Sequence, residues 1–251
     1  MILFVFEGAE REPKIFKTLE RLFFGAGERI VCSFGNNIYE LYRQLREYDG
    51  DGDIVSILRE NGAQLPAGVN SSDFSEIYLF FDYDFQNRNL TLEEMNRQLS
   101  EMLDLFNDET DNGKLYINYP MLEAIRYTRE LPDAHYYEYT VSRTDCHDIG
   151  FKDLAQRFSA YGSLDFIVLN FHSPPRQNKI DQVGRNWTML KEQNTIKANY
   201  ICNNRLNTPL DKESISQKRI FDAQLSKHLL PKAEVSILSA FPLFIFDYFK
   251  R

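Results

Sequence analysis

The first 130 residues alternate between short apolar runs and longer segments in which apolar residues recur at helical spacing. Continuous apolar runs are typical of strands buried on both faces of a sheet, and repeats every three or four residues indicate amphipathic helices. This alternation predicts an α/β fold with a mainly parallel, Rossmann-like sheet covered by helices on both faces. The predicted strands occupy residues 2–6, 29–34, 76–81 and 114–119.

Capping residues mark where the intervening helices begin. Asn36 or Asn37 is a suitable N-cap for a helix that continues to about residue 48. Thr91, with Glu94 three residues later, has the spacing of a capping box. Pro120 predicts a helix over residues 121–130, because a proline in the first turn of a helix needs no N–H.

The pattern changes near residue 142, after which helical spacing dominates and strand signals weaken. We therefore predict an α/β domain over residues 1–140 and a mainly helical accessory region over 141–251. Within the second region, the segment 172–185 (HSPPRQNKIDQVGR) is polar and contains two prolines. This composition predicts a loop.

Cysteine content and apolar segments indicate the compartment. Three widely spaced cysteines without a CxxC pair favour reduced thiols over a disulfide framework or a zinc site. The N-terminal apolar run breaks at Glu7, too early for a secretion signal. The stretch 235–246 is interrupted by Pro242 and is too short to cross a bilayer. We expect a soluble, cytoplasmic protein without a membrane segment.

The net charge of −8 is unfavourable for a protein that grips nucleic acid by neutralising phosphates. Binding of DNA or RNA would require basic residues that cluster locally or come from a partner subunit. Arg176, Lys179 and Arg185 in the segment 172–185 are candidates for phosphate contacts. The commoner explanation for these side chains is a solvated loop.

Three carboxylates follow predicted strands. Glu7 comes directly after the first strand, and Asp82 and Asp84 come at the end of the third. In parallel α/β sheets these positions meet at the carboxyl edge, where such folds build their sites. Residues two apart in an extended segment point to the same side, so Tyr83 is expected to face away. Paired carboxylate oxygens are ligands that Mg²⁺ and Mn²⁺ prefer.

The combination of FVFEG around Glu7 and LFFDYD around Asp82 and Asp84 resembles the toprim domain, over roughly residues 1–130. That domain is shared by topoisomerases, primases, overcoming-lysogenization-defect nucleases and several bacterial anti-phage effectors. The resemblance implies that Glu7 is a general acid/base or a metal ligand and that Asp82 and Asp84 hold a divalent metal. It also implies chemistry on phosphodiester bonds.

The sequence departs from the nuclease members of that family at one position. They carry an acidic residue four positions after the first glutamate, where this chain has Arg11. Glu12 is a candidate replacement ligand, and its alternative role is a solvent-facing acid at a helix N-terminus. Glu123, after Pro120, is a further candidate ligand with the same alternative explanation.

Two further segments have plainer interpretations. The acidic run over residues 49–53 has an isoleucine at position 54, where a calcium loop needs glycine, so we predict a turn and a helix cap. The aromatic residues near the C-terminal end favour core packing or a subunit interface, the second of which would make a homo-oligomer.

These observations lead to one principal hypothesis, one alternative from a different class, and a third interpretation as a phosphatase or nucleotidyltransferase that acts on small phosphoesters. The first is a nuclease that depends on Mg²⁺ or Mn²⁺ and cleaves DNA or RNA, as a bacterial anti-phage effector working with a separate ATPase partner. The alternative is a catalytically silent α/β scaffold that binds a nucleotide or a protein partner. The extension to defence rests on analogy with toprim-containing subunits of such systems.

Overall fold

A five-stranded sheet forms the centre of the fold. The computed structural model describes residues 1–48, 53–159 and 164–249. The strands are β1 (Ile2–Phe6), β2 (Arg29–Ser33), β3 (Glu76–Asp82), β4 (Asn107–Asp108) and β5 (Gly113–Asn118). They lie in the order β2-β1-β3-β5-β4, with only the short β4 antiparallel to its neighbour. The four predicted strands and the mainly parallel sheet are confirmed.

The strand order creates a crevice at the carboxyl edge of the sheet. From β1 the chain crosses to β2 on one side and then returns to place β3 on the other side. The helices that follow β1 and β3 therefore leave in opposite directions, which opens a gap between these strands. Phe6 lies in register with Phe80, so β1 and β3 end almost level. Glu7 and Asp82 consequently stand at this gap.

Helices account for most of the remaining described chain. They are α1 (Arg11–Phe23), α2 (Ile38–Glu47), α3 (Ile54–Glu60), α4 (Leu92–Leu105), α5 (Arg143–Asp148), α6 (Phe151–Phe158), α7 (Gln177–Asn203), α8 (Gln217–Gln224), α9 (Leu230–Lys232) and α10 (Ala240–Tyr248). A π-helical turn, Leu225–Leu229, joins α8 to α9.

The predicted caps begin their helices as expected. Asn37 accepts a hydrogen bond from the Glu40 N–H at 3.0 Å at the start of α2. Thr91 and Glu94 form a reciprocal capping box on α4. Asp53 caps α3 through the N–H groups of its first turn, whereas residues 49–52 of the same acidic run lie outside the described residues.

Hydrophobic side chains cover both faces of the sheet. On one face, alternate residues of the strands pack against α1, α7 and α10, with Trp187 fully buried among them. On the other face, the opposite strand residues pack against α2, α3, α4 and α8. The sheet is therefore buried on both sides, which explains why its strands are continuous apolar runs.

Two predictions about helices were wrong. The chain after Pro120 forms only a short 3₁₀ helix, Leu122–Arg126, instead of an α-helix over 121–130. The segment 172–185 is not a loop throughout, because α7 begins at Gln177. Val183 is buried and lies one turn before the buried Trp187, so the helical apolar spacing already starts inside the polar segment.

The second half of the chain packs directly onto this sheet. The boundary predicted near residue 140 falls in β6 (Thr140–Ser142), which pairs antiparallel with β7 (Glu234–Ser236). A further antiparallel bridge joins Tyr119, just after β5, to Leu238. Within the described ranges, no helix is both long and apolar enough to span a membrane.

Candidate active site at the carboxyl edge of the sheet

Glu7 lies at the centre of the crevice between β1 and β3. Its N–H donates to the Phe80 carbonyl at 3.0 Å, and its carbonyl accepts from the Gly35 N–H at 3.0 Å, so its backbone extends the ladder on both sides. Its side chain turns towards β3, where Oε2 accepts the Asp82 N–H at 2.9 Å. The sheet itself therefore fixes the position of the Glu7 carboxylate.

Asp82 is buried beside it, with 7% of its surface exposed. Its Oδ1 accepts a hydrogen bond from Asn118 Nδ2 at 3.0 Å, across from the end of β5. Asn118 is held in turn by α10, because its Oδ1 accepts the Ala240 N–H at 2.9 Å. The Asp82 carboxylate is thus positioned by a neighbouring strand and, through it, by a helix.

Asp84 reaches the site through a left-handed turn instead of an extended strand. Strand β3 ends at Asp82, and Asp84 has a φ of 58°, a conformation that aspartate tolerates better than most residues. Its N–H donates to the Pro120 carbonyl at 3.1 Å, and its Oδ1 accepts from Gln86 Nε2 at 2.6 Å. Tyr83 is fully buried in the hydrophobic core that includes residues of α2 and α4.

Glu12 joins this group from the first turn of α1. It is buried, with 8% of its surface exposed, and its Oε1 accepts the Gly8 N–H at 3.2 Å. A methyl group at Gly8 would approach Glu12 Oε2 to 2.8 Å, so a larger residue there would require the Glu12 carboxylate to shift. Glu12 does not face solvent, but it stands in the first turn of α1, as its alternative role at a helix N-terminus requires.

Glu7, Asp82 and Asp84 resist ionisation. Burial raises the pKa of Glu7 from 4.5 to about 8, and the charges of Asp84 and Glu12 add to this, against the lowering effect of the Asp82 N–H. Burial, and then the charge of Glu7, hold the pKa of Asp82 well above its ordinary value. Burial also raises the pKa of Asp84. We call Glu7, Glu12, Asp82 and Asp84 the carboxylate cluster.

Glu123 is held by cations. Its carboxylate pairs with the Arg11 guanidinium, and Lys152 Nζ lies 3.8 Å from its Oε1. Glu123 nonetheless lies next to a residue that contacts the cluster. It follows Leu122, whose N–H hydrogen-bonds to Asp82 and lowers the pKa of that acid. Arg11, at the position where the toprim nucleases carry an acid, therefore pairs with the carboxylate of Glu123.

The three predicted phosphate contacts lie on α7 and its N-cap. Lys179 is half-buried, with Nζ 3.4 Å from the Asp165 carbonyl, whereas Arg176 and Arg185 are exposed. Gly184, beside Arg185, faces Leu22 in the last turns of α1. Leu22 lies ten residues after Glu12, about 15 Å further along the helix axis. The structure therefore places Arg185 away from the carboxylate cluster.

Two supporting residues were missed by the sequence reasoning. Asn118 is a polar residue at the end of an apolar strand, the same signal that identified Glu7 and Asp82. Tyr39 on α2 donates its hydroxyl to the Tyr83 carbonyl at 2.7 Å; burial raises the pKa of Tyr39, and the charges of Asp84 and Glu7 add to this. No spacing in the sequence connects Tyr39 with residues more than 40 positions later.

The donor set suits a hard divalent cation by its chemistry. Carboxylate oxygens are the preferred ligands of Mg²⁺ and Mn²⁺. Burial is the main cause of the raised pKa of Glu7, and the charges of Asp84 and Glu12, which a cation would offset, add to it. In the part of the chain that the structure describes, no three His, Cys, Asp or Glu side chains stand ready-arranged to hold a metal ion. Glu7 and Glu12 instead each accept a backbone N–H.

Comparison with protein-family models, curated proteins and solved structures found no match to this chain. The resemblance to the toprim domain therefore rests on Glu7, Gly8, Asp82 and Asp84 in their sequence context.

Proposed function

We propose that this chain is a metal-dependent nuclease of the toprim type, which hydrolyses phosphodiester bonds in DNA or RNA. The observation that carries the proposal is the position of Glu7: a carboxylate with a pKa of about 8, hydrogen-bonded to the Asp82 N–H at the gap between β1 and β3. Ligand and active sites of parallel α/β sheets occupy such gaps. Acids whose pKa values are raised by burial and by neighbouring charge concentrate at functional sites.

Glu7 is suited to proton transfer. A pKa of about 8 lets its carboxyl group hold a proton at neutral pH and release it again, as a general acid must. In the proposed reaction Glu7 donates this proton to the oxygen that leaves the scissile phosphate. Its fixed contact with the Asp82 N–H keeps the carboxyl group at the edge of the sheet.

Asp82, Asp84 and Glu12 are the residues that would hold Mg²⁺ or Mn²⁺. A divalent cation in such a site polarises the phosphate and lowers the pKa of a bound water. Asn118 restrains Asp82, and the Gly8 N–H restrains Glu12. Both acids therefore have defined positions before any ligand arrives.

The test is cleavage by the purified full chain. Plasmid, single-stranded DNA and tRNA are each incubated with the protein in Mg²⁺, in Mn²⁺ and in EDTA, with and without a candidate ATPase partner. We expect cleavage of at least one substrate only when the metal is present. Glu7→Gln should reduce the rate by at least about a hundredfold, the usual contribution of a general acid. Glu10→Gln, an exposed acid three residues away, is the matched control.

The scaffold alternative makes the opposite prediction. It requires Glu7→Gln and Asp82→Asn to leave the biological effect of the protein intact. Absence of cleavage under every condition, together with intact function of both variants, would reject the nuclease and support the scaffold.

A further inference from the structure

An open cavity of about 350 Å³ lies at the first turn of α1, the turn that also carries Glu12 of the carboxylate cluster. Its walls come from the start of α1, the 3₁₀ helix Leu122–Arg126, α6 and the segment 164–168. The cavity is lined by Arg11, Lys14, Arg126, Lys152, Asp153, Gln156, Leu164, Asp165 and Val168. Four cationic side chains thus converge in a chain whose net charge is −8.

Three acids accompany the four cations: Asp153 and Asp165 line the cavity, and Glu123 pairs with Arg11 and lies near Lys152. Arg126 is buried, donates from Nη2 to the Lys152 carbonyl at 3.4 Å, and has its charge stabilised by Glu123. The named side chains together carry one positive charge in excess. Arg11 and Lys152 retain exposed side chains, at 47% and 56% of their surface. Their charged ends are therefore accessible to a ligand.

The cavity and the carboxylate cluster are joined through two elements. Arg11 immediately precedes Glu12 on α1. Glu123 immediately follows Leu122, whose N–H hydrogen-bonds to Asp82. A ligand group in the cavity would therefore lie next to a group bound at Glu7 and Asp82. Lys179 stands near the same cavity, because its Nζ is 3.4 Å from the carbonyl of Asp165 in the cavity wall.

We propose that this cavity is a subsite for the phosphate that adjoins the scissile phosphate in a polynucleotide. The inference rests on the proposed nuclease function and specifies its substrate class. Arginine and lysine side chains are the usual partners of phosphate oxygens. A chain with several phosphates would occupy the cavity and the carboxylate cluster together, whereas a small phosphodiester would reach only the cluster. The site therefore selects polynucleotides over isolated phosphoesters.

The first test measures binding. The affinity of a labelled 20-nucleotide single strand is measured by fluorescence anisotropy in Mg²⁺ at several salt concentrations, with inorganic phosphate as a competitor. Lys14→Gln and Lys152→Gln should each weaken binding at least threefold and reduce the slope of log affinity against log salt by about 1. Lys232→Gln, an equal charge change at an exposed site outside the cavity, is the control. Affinities equal to that of the control would overturn the subsite.

The second test compares two substrates. The double variant Lys14→Gln/Lys152→Gln should lose at least ten times more kcat/KM on the oligonucleotide than on bis(4-nitrophenyl) phosphate, which has a single phosphate. Equal losses on both substrates would overturn the subsite. If the wild-type chain cleaves neither substrate but the lysine variants still bind the oligonucleotide more weakly than the control, the nuclease proposal fails and the polynucleotide subsite stands.

Discussion

At the scale of single residues, the molecule depends on acids that are kept close together. In addition to burial, the charges of Asp84 and Glu12 raise the pKa of Glu7, and the charges of Glu7 and Glu12 raise the pKa of Asp82. Repulsion between buried carboxylates destabilises the folded chain whenever they ionise without a counter-charge. A cation bound among these carboxylates would relieve the same repulsion.

Glu7 should make the metal-free protein less stable as pH rises. The unfolded chain releases this proton near pH 4.5, whereas the folded chain retains it to about pH 8. Between these values folding takes up a proton, so the free energy of unfolding falls as pH rises, by up to about 1.4 kcal/mol per pH unit. Urea unfolding in EDTA across this range measures the slope.

The variant Glu7→Gln removes this titration. Its free energy of unfolding should therefore decline less with pH than that of the wild type, and it should be the more stable protein at pH 8. Glu10→Gln, which alters an exposed acid, should keep the wild-type slope. Parallel pH profiles for the wild type and Glu7→Gln would show that Glu7 titrates normally.

Gly8→Ala should displace the Glu12 carboxylate. The added methyl group would lie 2.8 Å from Oε2, so the Glu12 carboxylate must shift from its present position against the Gly8 N–H. We expect at least a tenfold loss of cleavage with little loss of stability, because the end of a flexible side chain moves at low cost. Gly25→Ala, where the added methyl group meets no atom within 4 Å, is the control. Equal cleavage by the two variants would mean that the Glu12 position does not matter.

The sequence was informative about the residues at strand ends and uninformative about the residues that pack and pair around them. Glu7 and Asp82 could be predicted to approach each other because strand ends of a parallel sheet share one edge. The burial of Glu12 could not, because it depends on the close approach of α1 to Gly8. The pairing of Arg11 with Glu123 joins residues 112 positions apart. Only the folded chain reveals such a contact.

At the scale of elements, local signals identified strands and caps more reliably than helix length. The capping box of Thr91 and Glu94 correctly placed the start of α4. The 3₁₀ helix Leu122–Arg126 is shorter than the α-helix predicted over residues 121–130. Leu122, Glu123 and Arg126 are all buried, so packing against the rest of the fold determines the conformation of this segment. The start of α7 was missed because its polar residues obscured the apolar stripe that faces the sheet.

Thr91→Ala should destabilise the protein by about 1 kcal/mol. The substitution removes the side-chain oxygen that accepts the Glu94 N–H at 3.2 Å at the start of α4. Thr91→Ser preserves this oxygen and should retain most of the stability. Thermal and urea unfolding of both variants provide the measurement, and equal destabilisation by alanine and serine would show that the cap contributes nothing.

At the scale of the whole molecule, opposite charges are separated around one edge of the sheet. Composition alone predicted an obstacle to nucleic-acid binding, since the net charge is −8. The fold brings Arg11, Lys14, Arg126 and Lys152 to one cavity from three distant parts of the chain. Their proximity to the carboxylate cluster could not be predicted, because it requires α1, α6 and the 3₁₀ helix Leu122–Arg126 to meet.

Mn²⁺ should stabilise the whole protein more at pH 8 than at pH 5. Protons compete with the cation for the same oxygens, and the raised pKa values of Asp82 and Asp84 strengthen that competition in acid. Saturation at a hundred times Kd would contribute about 2.7 kcal/mol. Differential scanning fluorimetry measures the rise in Tm at each pH.

Asp82→Asn should abolish the effect of Mn²⁺ on Tm. Asp104→Asn, which changes an acid whose side chain is 67% exposed, should preserve it. The same rise in Tm for both variants would place the metal elsewhere.

The hydrogen bonds around Asn118 have a consequence for the synthesis of this protein. Asn118 restrains Asp82, yet its own oxygen is held by the N–H of Ala240, 122 residues further along the chain. While the ribosome is still translating the intervening segment, Asn118 lacks this anchor, and its restraint on Asp82 is not yet in place. If the chain is the nuclease proposed above, its site would take its final form only after residue 240 has emerged and α10 has docked.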